Sequence, residues 1–174
     1  MNKFKTEIKW GFIFTGFALL WAYIEKQLGW HTDQVSEHLI YTNLFGVVAI
    51  AIYVFALKDK KQTDYKGVIT WKEGFISGIV LSAVIAILSP ATQYITYVYI
   101  SPEYFSNITE YIVGAGKMTQ ENAEEYFNIN NYIRQGIFTS LSMGVVTAAI
   151  VSFIIKNKNK NKNKNKNKNK NKKK

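Results

Sequence analysis

The sequence contains no cysteine, which excludes disulfides, thiolate metal sites and cysteine nucleophiles. No two histidines lie three or four residues apart, as a helical zinc motif requires. No glycine-rich loop has the form of a phosphate cradle, and no serine sits in an elbow motif or has a triad context. Acidic residues are missing from the end of the chain: residues 157–174 hold ten lysines and no Asp or Glu. The net charge of +10 therefore belongs to that appendage, because residues 1–156 carry 12 basic and 12 acidic residues. A nucleic-acid-binding domain would spread basic residues over a structured face, so no nucleic-acid partner is expected. The protein is read as a non-enzyme with no cofactor and no metal.

The chain does hold long apolar runs. Its mean hydropathy of −0.07 is lowered by the tail, and the 48% of hydrophobic residues fall in a few blocks. Residues 74–100 run for 27 positions without a formal charge. As a helix that is roughly 40 Å, enough to cross a ~30 Å hydrocarbon core. The spacing of apolar residues, breaks and helix starts predicts four spans, at about 10–28, 39–57, 74–100 and 136–155. The first could be mistaken for a signal peptide, but its small-residue cleavage pattern is poor and further spans follow. The expected fold is thus an all-α membrane protein, with a four-helix transmembrane domain over 1–155 and a disordered Lys-Asn tail over 156–174.

Connections set the orientation. The N-terminus holds three lysines and residues 58–72 hold five. Eleven fall from Lys156 onward, whereas residues 101–135 hold only Lys117 and Arg134 against five glutamates. The positive-inside rule then places both termini in the cytoplasm of a cell with the protein in its inner membrane. Within the 101–135 connection, Ser101-Pro102-Glu103 and Thr119 read as the starts of two short amphipathic helices on the outer surface.

Two features stand out within the spans. Gly74, Gly78, Ser82 and Ala86 recur every four residues, as do Gly136, Ser140, Gly144 and Ala148, which predicts close antiparallel packing of the third and fourth spans. Pro90 is expected to free a carbonyl near Ala86 that Ser89 or a neighbouring helix satisfies. Polar residues gather at the outer ends of the spans: Glu25, His31, His38, Asn43, Gln93 and Thr96 are the candidate lining of an outward-facing polar pocket. His31, Asp33, Glu37 and His38 resemble metal ligands by type. On a continuous helix, however, His31 and His38 would stand ~10 Å apart, so capping and loop polarity are the expectation.

Several short motifs resemble those of an uncharacterised family of small membrane proteins common in Bacteroidota, catalogued as domain of unknown function 4199. They are Leu28-Gly29-x-His31 leading to His38 and Tyr41-Thr42-Asn43, then Gly74-Phe75-Ile76-Ser77-Gly78 and Ser89-Pro90-x-Thr92-Gln93-Tyr94-Ile95. Lys117-Met118-Thr119-x-Glu121 and Tyr126-Phe127-Asn128 complete the set. The resemblance covers about residues 7–155 and implies a four-helix membrane protein with no assigned activity, substrate or cofactor. The function expected is a non-catalytic membrane protein that binds a partner or lipid. The alternative is a small transporter or channel subunit that uses the outer pocket. Expected partners are the lipid bilayer, anionic lipids through the tail, and a second copy or another membrane protein.

Overall fold

Thr70 opens the longest helical run. Its Oγ1 accepts from the Glu73 N–H at 3.3 Å, and Glu73 Oε2 accepts from the Thr70 N–H at 2.8 Å, a reciprocal cap that satisfies two otherwise orphaned donors. In this computed structural model, residues 3–157 are described. They form α1 (Lys5–Gln27), α2 (Val35–Tyr41), a 3₁₀ turn (Thr42–Leu44) and α3 (Phe45–Thr63). Next come α4 (Trp71–Tyr94), which continues as a π-helical segment (Ile95–Ile100), and α5 (Tyr104–Gly114), α6 (Gln120–Tyr126) and α7 (Ile129–Ile155). Residues 158–174, on which most of the expected tail falls, lie outside the described residues.

Side-chain caps set the starts of α4, α6 and α7, whereas α3 starts only at Phe45, after α2 and the 3₁₀ turn, and not at the expected 39. α7 begins at Ile129, where Asn128 Oδ1 accepts from the Asn131 N–H at 3.0 Å, seven residues before Gly136. Thr119 likewise caps α6, accepting from the Asn122 N–H. At α5 the cap position is taken by Glu103 and not by Ser101, whose hydroxyl is engaged elsewhere. Pro90 sits inside α4 without ending it, and Ser89 Oγ donates to the Ala86 carbonyl at 3.2 Å.

Three runs are long and apolar enough to cross a membrane: Val35–Thr63, Trp71–Ile100 and Ile129–Ile155. Their outer surfaces carry large apolar side chains, among them Val47, Ile87, Tyr99, Phe138 and Phe153. The interior, by contrast, holds Glu7, Glu25, His31, His38, Lys60, Ser77, Ser82 and Ser152. Apolar residues outside and polar ones inside suit a hydrocarbon solvent and make this a membrane-embedded protein. α1 is 23 residues long, with Lys5, Glu7, Lys9, Glu25 and Lys26 near its ends.

The four long helices close into a ring in the order α1, α4, α7, α3. α4 and α7 share the most extensive contact and run antiparallel through their small residues. A Cβ on Gly78 would lie 2.4 Å from Ala148 Cβ, and one on Gly144 would lie 2.4 Å from Ser82 Oγ. Gly74 faces Ser152 and Gly136 faces Gln93 in the same register. These approaches require glycine, since a methyl group at Gly78 has nowhere to go. Apolar residues from α3, α4 and α7, including Leu57, Leu81, Ile85 and Val151, form one buried cluster. A second cluster, built on Tyr104, Ile108, Ala123 and Phe127, holds α5 and α6 at the opposite end.

Candidate functional site

The site begins with how α1 ends. Gly29 takes φ +78°, and the Trp30 N–H donates to the Glu25 carbonyl while the Gly29 N–H donates to that of Lys26. This paired closure turns the chain sharply. The next turn is stitched by the Thr32 and Gln34 N–H groups, both donating to Gly29 O. α2 therefore starts only at Val35, after Gln34.

That turn corrects one sequence-based argument. His31 and His38 do not lie on a continuous helix, and the expected ~10 Å separation does not hold. The chain folds back between them and their rings lie 4.9 Å apart in an edge-on contact. Both face Glu25, which α1 places one turn before its end. His31 Nε2 is 3.3 Å from Glu25 Oε2, and His38 Nδ1 is 3.8 Å from the same oxygen. All three side chains are buried, with residue exposures of 3% for Glu25, 1% for His31 and 8% for His38.

The surroundings fix each member. Trp21, one turn back on α1, donates from Nε1 to Glu25 Oε1 at 2.7 Å, leaving Oε2 for the histidines. His31 Nδ1 and Ser101 Oγ are 2.6 Å apart. Asn107 Nδ2 of α5 donates to the His31 carbonyl at 2.9 Å. Tyr104 lies edge-on to both imidazoles, at 5.2 Å from His31 and 5.1 Å from His38. Its own hydroxyl meets that of Tyr132 at 3.2 Å. Burial pushes the Tyr104 phenol far above the usual tyrosine range.

Glu25 and His38 form one wall of a cleft of about 580 Å³ between α1, the α2–α3 run, α4 and α7. Asn43, Gln93 and Thr96 also line it, so five of the six candidate pocket residues border one space. His31, the sixth, sits behind His38 and does not reach the cleft. Asn43 is exposed, with its amide donating to the Ile40 carbonyl. Thr139, a polar residue near the outer start of the fourth span, also lines the cleft. Sequence reasoning missed Trp21, Ser101, Tyr104 and Tyr132 in this region, together with Gln135 from α7. The signal was present for Gln135, which stands beside Gly136 at the expected start of the fourth span. For Ser101 it was masked by its position ahead of Pro102, which reads as a cap.

The lower half of the cleft is less polar: Phe14, Ala18, Phe45, Ala49, Ile85 and Met143 line it above the floor at Tyr53. There Tyr53 Oη lies 2.8 Å from Ser82 Oγ, which donates to the Gly78 carbonyl. The space is thus graded, with carboxylate, imidazole and amide groups near the Glu25 end, and apolar side chains with the hydroxyls of Thr15, Ser140, Thr147 and Tyr53 toward the bundle centre. A separate hollow of about 660 Å³ between α5 and α6 shares none of these residues.

The family model described as "Protein of unknown function (DUF4199)" matches residues 9–157. No curated protein and no solved structure matches the chain.

Proposed function

We propose, from the premise that the chain belongs to the family of unknown function DUF4199, that it is a four-span inner-membrane protein that binds an amphiphilic ligand. The polar head would lie against Glu25, Asn43, Gln93 and Gln135, and the apolar part beside Phe14, Phe45 and Met143. The graded cleft carries this reading: it is roomy, bordered by several polar side chains at one end and more apolar at the other. The protein is read as non-catalytic, since no nucleophile and base lie together in the cleft with a third group to orient them.

In this reading α1 is the fourth span. It lies against α4, where a Cβ on Gly11 would meet Val84 Cγ1 at 2.4 Å, and it presents Phe12, Phe17, Leu20 and Tyr23 outward. With four spans, the lysine-rich 58–72 connection and both termini share the cytoplasmic side. α5 and α6 then cap the outer face, and the cleft opens toward that side. The lysine-rich tail would draw anionic lipid at the inner face.

Native mass spectrometry of the protein extracted in membrane patches tests the binding. A retained small amphiphile, lost on Thr139→Phe or Gln93→Leu, is the expected result. An empty wild-type protein, or a retained molecule indifferent to both substitutions, overturns it. Transport is the second reading, favoured by the polar groups bordering the cleft from all four long helices. Ligand flux into liposomes that disappears with the same substitutions would establish it.

A further inference from the structure

His31 Nε2 and His38 Nδ1 are sealed from solvent and have no hydrogen-bond partner, although both face the same carboxylate oxygen. A buried polar atom without a partner is destabilising, and here two stand side by side. An imidazolium–carboxylate pair would account for the proximity. It accounts less well for the geometry: the 3.8 Å contact is too long for a hydrogen bond, the 3.3 Å contact leaves His31 Nε2 without one, and one oxygen faces both rings. Two unpartnered ring nitrogens gathered around one carboxylate oxygen form an arrangement that a shared metal ion would complete.

We propose that Glu25, His31 and His38 bind a divalent transition-metal ion of the zinc class. The ligand atoms are Glu25 Oε2, His31 Nε2 and His38 Nδ1, all within 4.8 Å of one another. A tetrahedral ion with ligand distances near 2.0–2.1 Å needs its ligands roughly 3.3 Å apart. The two contacts to Oε2, at 3.3 Å and 3.8 Å, are at or close to that spacing, and binding would draw the two ring nitrogens, within 4.8 Å of each other, toward it. Two imidazoles and one carboxylate suit zinc and its neighbours, and suit calcium or magnesium poorly.

The outer contacts are those a metal site needs. His31 Nδ1 and Ser101 Oγ are 2.6 Å apart; in the metal-bound state Nδ1–H donates to Ser101 Oγ, the tautomer that gives Nε2 to the ion. Trp21 holds Glu25 Oε1 and so presents Oε2. Three protein ligands leave one position vacant, and since Glu25 and His38 border the cleft, that position opens into it. The proposal does not depend on what else the cleft binds.

Full-length, tag-free protein in detergent micelles, stripped by chelator and then supplied with Zn²⁺, tests the site. After desalting, elemental analysis is expected to find about one ion per chain. His31→Gln, His38→Gln and Glu25→Gln should each reduce that to background. Ser101→Ala keeps every ligand and should weaken binding by about 10–100-fold, which guards against variants that fail to fold. Co²⁺ in the wild-type protein should give the strong visible bands of a tetrahedral site, a readout that needs no variant. Metal content no higher than that of the Glu25→Gln variant overturns the proposal, as does a Co²⁺ spectrum of octahedral type.

Discussion

Lys60 of α3 and Glu7 of α1 meet in a contact of 2.9 Å between Nζ and Oε1, and neither is more than 5% exposed. Ser77 of α4 donates to the same Glu7 oxygen at 2.7 Å, and Asp64 approaches Lys60 from the next turn of α3. One carboxylate thus ties three helices at the end of the bundle opposite the histidines. Losing Lys60 strands the buried Glu7 carboxylate, which costs about 3 kcal/mol or more, whereas losing Glu7 leaves Lys60 with Asp64 and the Lys3 carbonyl and costs less. Glu7→Gln and Lys60→Met should each lower the denaturation midpoint in detergent, whereas the double substitution should cost less than the sum. The expected coupling is about 1–3 kcal/mol in a double-mutant cycle. Simple additivity would show that the pair contributes nothing of its own.

The small-residue columns give a second prediction, with an internal control. Gly78 faces Ala148 with no room for a methyl group, while Gly16 of α1 has nothing within 4 Å of its Cβ position. Gly78→Ala should therefore destabilise the bundle by about 1–3 kcal/mol through overpacking. Gly16→Ala should be neutral or slightly stabilising, since alanine favours helix by up to about 1 kcal/mol. Thermal unfolding of the two variants in the same detergent checks the contrast. Equal effects at both positions would mean that glycine is valued there for something other than close approach.

That register was legible because it is periodic: residues four apart share a helix face, and two such columns in successive spans can face each other. Serine's helix-internal bond at Pro90 and the cap at Thr119 were legible for the same local reason. The histidine cluster was not. Its assembly depends on Gly29 adopting a left-handed conformation and redirecting the chain, and on Ser101 arriving from the far end of α4. Helical spacing describes neither event. The π-helical turn at Ile95–Ile100 is another such feature: it lies in an uncharged run that reads as ordinary α-helix, and it is stitched by the Ser101 N–H donating to the Thr96 carbonyl.

Tyr104 supplies an alkaline signature. Its phenol is buried beneath α5 against both imidazoles, and burial raises its pKa far above the ordinary value near 10. The native state therefore keeps this proton when the unfolded chain has released it. Stability is complete below pH ~10 and falls as pH rises beyond it, by up to about 1.4 kcal/mol per pH unit for one such group. Tyr104→Phe should remove that one group's share of the alkaline slope while keeping the ring contacts. Its only lost hydrogen bond is the one to Tyr132 Oη. Unfolding measured from pH 8 to 11 checks this, and an unchanged slope in the variant would assign the alkaline loss to other tyrosines.

The absence of cysteine makes the membrane crossings of α1 directly measurable, because any introduced thiol is the only one in the chain. Lys5, Thr63 and Glu121 are all exposed, and they sample the start of α1, the end of α3 and the α6 region. If α1 crosses, an impermeant maleimide applied to intact cells should label Glu121→Cys alone. Lys5→Cys and Thr63→Cys should react only after permeabilisation. If α1 instead lies along the surface, Lys5→Cys and Glu121→Cys label together while Thr63→Cys stays protected. If the whole orientation is inverted, Thr63→Cys labels and Glu121→Cys does not. Lysine distribution favours the first pattern: inversion would move the five lysines between residues 58 and 72 across the membrane, and a surface-lying α1 would leave Lys3, Lys5 and Lys9 outside.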